Sequence, residues 1–398
     1  MLGRIKNPVL ILLLALPMFG PAAATPDVDW QRQHFLEVHG RIMRGQAVDV
    51  ETEIAALQGY VLAPYLEYSY LQRRLATAEK SRVAAFLTEH QELPVAGQLR
   101  VAYLQLLARQ GRWWDFEQLY QPTSDAELQC HQLRARLARG AIDKSWLEAA
   151  EKLWLVGRSQ PAACDPVFAE LYERDAVSAD KVWERVTLLI EGGNVQLAES
   201  FRKHLDPARR EWLEHWLAGH RRPRQVLERP SFPLVGPFAA QIVTHALRRL
   251  GGEDPAAALD FLAHYERDDL LSPAQKANTA RDIALRAAYS QDPRALAWLD
   301  ALPPGVVTDN VRLWTARMAL RTQNWPRLLE AIAALPSKDN QTPQWNYWRA
   351  HALAATGQQQ EAQTEFMLLA LERHYYGFLA ADRLALPYNL NHVATAIA

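Results

Sequence analysis

The chain has 398 residues, with 44 Lys and Arg against 45 Asp and Glu and a formal net charge of −1. That balance gives no global electrostatic case for a nucleic-acid partner. The 49% hydrophobic and 22% charged shares are those of a globular protein, not a disordered one, and the length calls for two or more domains or one long repeat array.

The first element is a leader. "MLGRIKNPVLILLLALPMFGPAAATPDVDW" places Arg4 and Lys6 ahead of an apolar run from Pro8 to Phe19, and Ala22, Ala23 and Ala24 follow. This is the layout of a secretory signal peptide over residues 1–24, with a mature chain beginning near Thr25. The run is shorter than the roughly 20 apolar residues a bilayer span needs. No later stretch is apolar enough to span, and no cysteine stands near the cleavage site to carry a lipid. The expectation is an exported chain without a membrane anchor. Losing Arg4 and Lys6 takes its formal charge from −1 to −3.

From there the pattern is helical nearly throughout. "LLARQGRWWDFEQLY", "RARLARGAIDKSWLEAA", "TLLIEGGNVQLAESFRKHL", "ALRRLGGEDPAAALDFLAHY" and "AHALAATGQQQEAQTEFMLLA" each hold a helix, a break and a second stripe of Ala and Leu. Strand-like alternation is almost absent. The intervals between breaks are irregular, which points to degenerate helix-hairpin repeats stacked into a superhelix. The expected fold class is all-α, a right-handed superhelix of tetratricopeptide-like hairpins with a ring or horseshoe shape. In "GRWWDFEQLY", Trp113, Trp114, Phe116 and Tyr120 could stack on sugar rings, but their place at the start of a repeat helix favours core packing. Residues 229–240, "RPSFPLVGPFAA", read as a long loop. "WNYWRAHALAATGQQQEAQTEFMLLAL" comes close to a tetratricopeptide unit, with Trp345, Trp348, Ala350, Leu353, Gly357, Ala362 and Phe366 in place.

The only two cysteines, Cys130 and Cys164, flank an apparent helix hairpin. One helix runs over residues 131–139, Gly140 breaks it, and a second runs over about residues 144–156. An antiparallel hairpin of that kind brings its ends together, and export permits a disulfide. The alternative is a pair of unpaired buried thiols. A metal site is disfavoured, because two cysteines lack enough histidine partners.

Several segments together resemble one family. Residues 62–75 ("LAPYLEYSYLQRRL"), 99–120 ("LRVAYLQLLARQGRWWDFEQLY"), 149–168 ("AAEKLWLVGRSQPAACDPVF") and 345–384 are similar, in order and spacing, to the soluble lytic murein transglycosylases. Cys164 stands where that family has the second cysteine of a disulfide, and Cys130 where the first would be. The resemblance implies an N-terminal α-superhelix over residues 25–370 and the start of a helical linker domain over residues 371–398. It also implies a periplasmic location and peptidoglycan glycan strands as partner. The family's enzymes cleave the β-1,4 bond between N-acetylmuramic acid and N-acetylglucosamine. One glutamate serves as acid and then base, and the product is a 1,6-anhydro sugar.

The sequence departs from the family at that chemistry. The Gly-Leu-Met-Gln and Ala-Tyr-Asn-Ala-Gly stretches do not occur, and the only Glu-Ser pair, Glu199-Ser200, lies in an ordinary amphipathic helix. "RAAYSQDP" reads as a helix end. HExxH, GxGxxG and GxSxG are absent. No catalytic residue, metal or cofactor is therefore expected, and the chain alone is expected to be inactive. The catalytic domain would be a partner if the chain belongs to a longer protein. Arg221, Arg222 and Arg224 form an arginine patch that could attract the carboxylates of stem peptides, weighed against a solvated turn. Tyr375 and Tyr376, in "ERHYYGFLAADRL", could contact a further domain, weighed against local packing. The leading reading is the noncatalytic arm of such an enzyme. The alternative is a free-standing periplasmic helical-repeat adaptor that binds another protein.

Overall fold

The computed structural model describes residues 27–265 and 270–393. The leader expected over residues 1–24 lies outside them. Among the described residues there are 23 α-helices, three short 3-10 turns and no strand. None of these helices is long and apolar enough to cross a membrane. Two compact units divide the chain. One holds the residues up to Trp154 together with Gln160–Val177, and the other holds Leu155–Ser159 together with the residues from Ser178 onward.

The first unit contains α1 (Val28–Met43), α2 (Val50–Ala56), α3 (Ala63–Arg73), α4 (Lys80–Glu89), α5 (Pro94–Arg109), α6 (Trp113–Leu119), α7 (Ala126–Ala138), α8 (Lys144–Trp154) and α9 (Asp165–Glu173). Their starts are written in side chains. Asp27, Asp49 and Asp125 accept hydrogen bonds from the first free backbone amides of α1, α2 and α7. Pro94 occupies the first turn of α5, where no amide is missed. Leu71, Phe86, Leu99, Tyr103, Leu107 and Phe116 are almost wholly buried in one cluster shared by α3 to α6. Each such side chain contributes about 1.5–3 kcal/mol of burial.

Cys130 and Cys164 are joined by a disulfide, with Cα atoms 4.9 Å apart and both residues fully buried. The local structure differs from the expected hairpin at one end. α7 begins at Ala126, ahead of the expected residue 131, because Asp125 caps it through the amides of Glu127 and Leu128. Cys130 therefore lies inside α7, while Cys164 ends the short turn Ala162–Cys164 that leads into α9. Gly140 takes a φ of 70°, a left-handed conformation that closes α7 cheaply only without a Cβ. The indole N–H of Trp146 then donates to the carbonyl of Leu133 at 2.9 Å and seats α8 on α7.

The second unit contains α10 (Ala179–Glu191), α11 (Val195–Ser200), α12 (Pro207–Arg221), α13 (Pro223–Glu228), α14 (Ala239–Gly251), α15 (Pro255–Tyr265), α16 (Pro273–Tyr289), α17 (Ala295–Asp300), α18 (Asp309–Arg321), α19 (Trp325–Ala333), α20 (Ser337–Asn340), α21 (Pro343–Ala355), α22 (Gln359–Ala370) and α23 (Tyr375–Leu384). Consecutive helices pack as pairs, most extensively α21 with α22, α22 with α23, and α18 with α19. α16 opens with a full capping box, Ser272 and Gln275 each bonding the other's backbone amide, and it ends at Tyr289 as "RAAYSQDP" suggests. The tetratricopeptide-like segment is α21 plus α22, where Ala350, Ala362 and Phe366 are buried and Arg349 grips Glu365 at 2.7 and 3.1 Å. The Pro-rich stretch is nonhelical over residues 229–238. Trp212 packs into it edge-on to Phe232 and Phe238, leaving no room for a Cβ at Gly236.

The disulfide spans 34 residues, for which chain entropy gives a stabilisation of about 3–4 kcal/mol. Cys130→Ser is expected to lower the thermal midpoint of the oxidised protein. Reductant should lower the midpoint of the unaltered chain towards that of the variant and leave the variant unmoved. Equal midpoints under oxidising conditions would remove the disulfide from the account of stability.

Candidate functional site

The arginine run does not build one cationic surface. α12 ends at Arg221 and α13 begins at Pro223, so the three guanidiniums leave the corner in different directions. Arg221 reaches Glu199 of α11 at 3.0 Å, and Arg224 reaches Asp254 at 2.7 Å. Arg222 is exposed and lies 3.5 Å from the amide oxygen of Gln225. Glu199, the glutamate of the only Glu-Ser pair, is held by Arg202 as well as Arg221. That is the setting of a surface ion pair.

Arg224 does line a groove. One side chain face of α13 supplies Arg224, Leu227 and Glu228, and one face of α15 supplies Ala257, Asp260, Phe261 and His264 around a cavity of about 520 Å³. These residues recur at one-turn spacing, as two facing helical stripes must. The Tyr265 hydroxyl donates to the Leu227 carbonyl at 2.8 Å and fixes α15 against α13. Because Asp254 neutralises Arg224, the carboxylates of Glu228 and Asp260 set the sign of the walls. The groove is acidic with an apolar floor.

At the other end of this unit, Tyr375 is 64% exposed, whereas Tyr376 packs against Tyr347 with ring centroids 5.6 Å apart. The chain after α23 folds back: the Tyr388 hydroxyl donates to Asp382 at 2.7 Å and the Asn389 amide to the Leu371 carbonyl at 2.9 Å. Met367, Leu368, Leu371, Tyr375, Tyr388 and Leu390 remain exposed along this end. Sequence periodicity does not reveal that set, because the same residues fit a buried hairpin face until the packing partner is known.

The aromatic stretch at α6 divides. Phe116 is fully buried and Trp113 is half-buried beside His131, but Trp114 is 64% exposed. Packing as a whole stretch would require both indoles on one face, and adjacent residues on a helix point about 100° apart.

Among the described residues no three His, Cys, Asp or Glu side chains converge as a metal site. Two histidines do meet. Nδ1 of His220 on α12 lies 3.1 Å from Nε2 of His245 on α14, one imidazole donating and the other accepting. Burial, and then the charges of His220, Arg249 and Arg248, push the His245 pKa down to about 3. The arginine neighbours would also repel a metal cation.

No family model matches the chain. It is 24% identical over 371 residues to the soluble lytic murein transglycosylase of Escherichia coli K12, spanning 92% of this chain and 57% of that protein. It is 25% identical over 394 residues to the Salmonella typhimurium protein of the same description, spanning 95% and 59%. In three dimensions it matches the lytic transglycosylase Slt from Pseudomonas aeruginosa, solved as an inactive mutant, with a TM-score of 0.72, 33% identity and cover of 92% of this chain and 60% of that one. The chain is a relative of the soluble lytic murein transglycosylases. The matched part is the N-terminal part of those proteins, and the chain spans less than two thirds of their length. The 70 kDa soluble lytic transglycosylase from Escherichia coli shares the fold, with a TM-score of 0.68 at 24% identity, covering 91% of this chain and 59% of that one. A soluble lytic transglycosylase of that size has also been solved in complex with bulgecin A.

The histidine pair gives a pH dependence of known sign. The unfolded His245 titrates near 6.5 and the folded one near 3. The unfolded state therefore binds the extra proton between those values, and stability falls as pH drops from 6.5 towards 3. Thermal midpoints measured across that range should decline less steeply in His245→Gln than in the unaltered chain. Parallel slopes would place the acid sensitivity elsewhere.

Proposed function

We propose that this chain is the noncatalytic superhelical arm of a periplasmic lytic murein transglycosylase, acting in peptidoglycan cleavage and turnover. Residues 1–24 serve as its signal peptide, residues 25–370 form the arm, and residues 371–398 begin a helical linker domain. One observation carries the reading. The match to lytic transglycosylases runs along 92% of the chain, yet within these 398 residues the Gly-Leu-Met-Gln and Ala-Tyr-Asn-Ala-Gly stretches do not occur and the one Glu-Ser pair, Glu199-Ser200, stands without them. The engagement of Glu199 by two arginines supports the same conclusion, since a general acid must be free to reach its substrate.

In this reading the arm contacts glycan strands and presents Tyr375, with the apolar residues around it, to the domain that performs cleavage. Arg222, which has no carboxylate partner among the described residues, is the member of the arginine run most available to a stem-peptide carboxylate. A helical-repeat adaptor for another protein is the second reading. The exposed Met367, Leu368, Leu371 and Tyr375 favour it as well, because clustered exposed apolar side chains mark interaction surfaces.

The test is a digest of purified sacculi with the chain, followed by mass spectrometry and by sedimentation of the sacculi. The expected outcome is no 1,6-anhydro muropeptide and a measurable fraction of the protein in the pellet. Anhydro products would overturn the noncatalytic assignment. A folded chain that stays wholly in the supernatant would overturn the association with peptidoglycan.

A further inference from the structure

The first unit exposes two indoles, Trp30 on α1 and Trp114 on α6, and the second is fixed by a charged neighbour on another helix. Trp113 turns inward beside Phe116 and His131 and is covered by the guanidinium of Arg134, 5.1 Å from its ring centroid. Trp114 turns outward and is 64% exposed. It is the only large exposed hydrophobic residue on α4 or α6.

Its exposure is not looseness. The ammonium of Lys80, on α4, sits 4.0 Å from the Trp114 ring centroid. Lys80 is anchored to Asp115 at 2.6 Å, and Asp115 is held from its other side by Arg112 at 2.6 and 2.9 Å. The hydrogen bond from Lys80, ahead of that from Arg112, keeps the Asp115 carboxyl below its usual range, so the ladder stays charged and intact. Lys80 thus lies against the indole, and Asp115 and Arg112 hold Lys80 in place, while most of the ring stays exposed. That is preorganisation of an aromatic surface.

We propose that the outer face of Trp114 is a stacking platform for a pyranose ring of a glycan strand. The inference deepens the peptidoglycan reading and rests on it. An aromatic anchor for a protein is normally ringed by apolar neighbours that exclude water. Trp114 instead has the charged Lys80 against its ring, tied in turn to Asp115 and Arg112. A pyranose matches that arrangement, since it has an apolar C–H face for the indole and hydroxyls at its edge for charged partners. The ladder carries two cations and one anion, so its net positive charge suits a strand that bears carboxylates.

The experiment compares the full chain with Trp114→Ala and Trp114→Phe in sedimentation with purified sacculi and in calorimetric titration with a neutral chitin oligosaccharide. Thermal melting checks the fold. Trp114→Ala is expected to lose roughly tenfold or more in affinity for both ligands, with its melting temperature unchanged. Trp114→Phe, which keeps a ring, should retain an intermediate affinity, and it serves as the comparison if the alanine variant does not fold. Equal binding by all three chains would overturn the platform and leave the proposed function standing. Failure of the unaltered chain to bind sacculi would overturn both. Binding to sacculi that depends on Trp114 without any binding to the oligosaccharide would overturn the pyranose as the stacked group.

Discussion

The governing constraint is that no helix hairpin in this chain can bury its own apolar face. A short helix pair has one stripe against its partner and another left over, and only the next pair can cover it. The seams show how this is met. In α14, Gly251 lets the backbone approach Ile283 of α16, where a Cβ would come within 2.9 Å. In α21 and α22, Ala350 and Ala362 sit at the seam while Phe366 fills the space they leave. Close packing of that kind makes each methylene count. It also ties the stability of each layer to its neighbours, so the ends of a stack pose a problem that its interior does not.

Two devices relieve the constraint locally. In the first unit, the disulfide joins α7 to the entry of α9, so the three helices from α7 to α9 need not rely on apolar area alone. In the second unit, the segment Leu155–Ser159 lies against α10 through bare backbone: a Cβ at Gly157 would stand 2.5 Å from the carbonyl oxygen of Leu188. Asn194 completes that contact by donating to the Gly157 carbonyl at 2.8 Å. A larger residue at position 157 would have to move the backbone of a helix, whereas most surface positions here could change freely.

The all-α class was legible because its causes are local. Asp125, Ser272 and Pro94 act within one turn, and the Ala and Leu stripes have the helical period. Cys130 and Cys164 could be paired from the hairpin between them, although α7 starts earlier than its apolar stripe suggests because a polar cap precedes that stripe. What stayed hidden depends on partners distant in sequence. Arg221 and Arg224 look like one patch until Glu199 and Asp254 arrive from other helices. Trp113 and Trp114 look alike until the core claims one of them. The groove between α13 and α15 and the contact of His220 with His245 have no linear signature, since each needs two helices that packing brings together.

The same neutralisation limits how these surfaces can recognise anything. Most of the arginines near the candidate sites are held by a carboxylate within 3.5 Å, and exposed pairs of that kind add little affinity and are screened by salt. Long-range attraction is therefore weak, consistent with a net charge of −1. Recognition must then rest on short-range contact, and contact of that kind needs exposed apolar or aromatic surface held in place. Among the described residues such surface includes the indole of Trp114 with Lys80 against it, and the exposed apolar side chains between Met367 and Leu390. They differ in kind. The first is one ring set against a charged ladder. The second is a set of exposed apolar side chains on α22, α23 and the segment after them, where contact would rest on burial of apolar area.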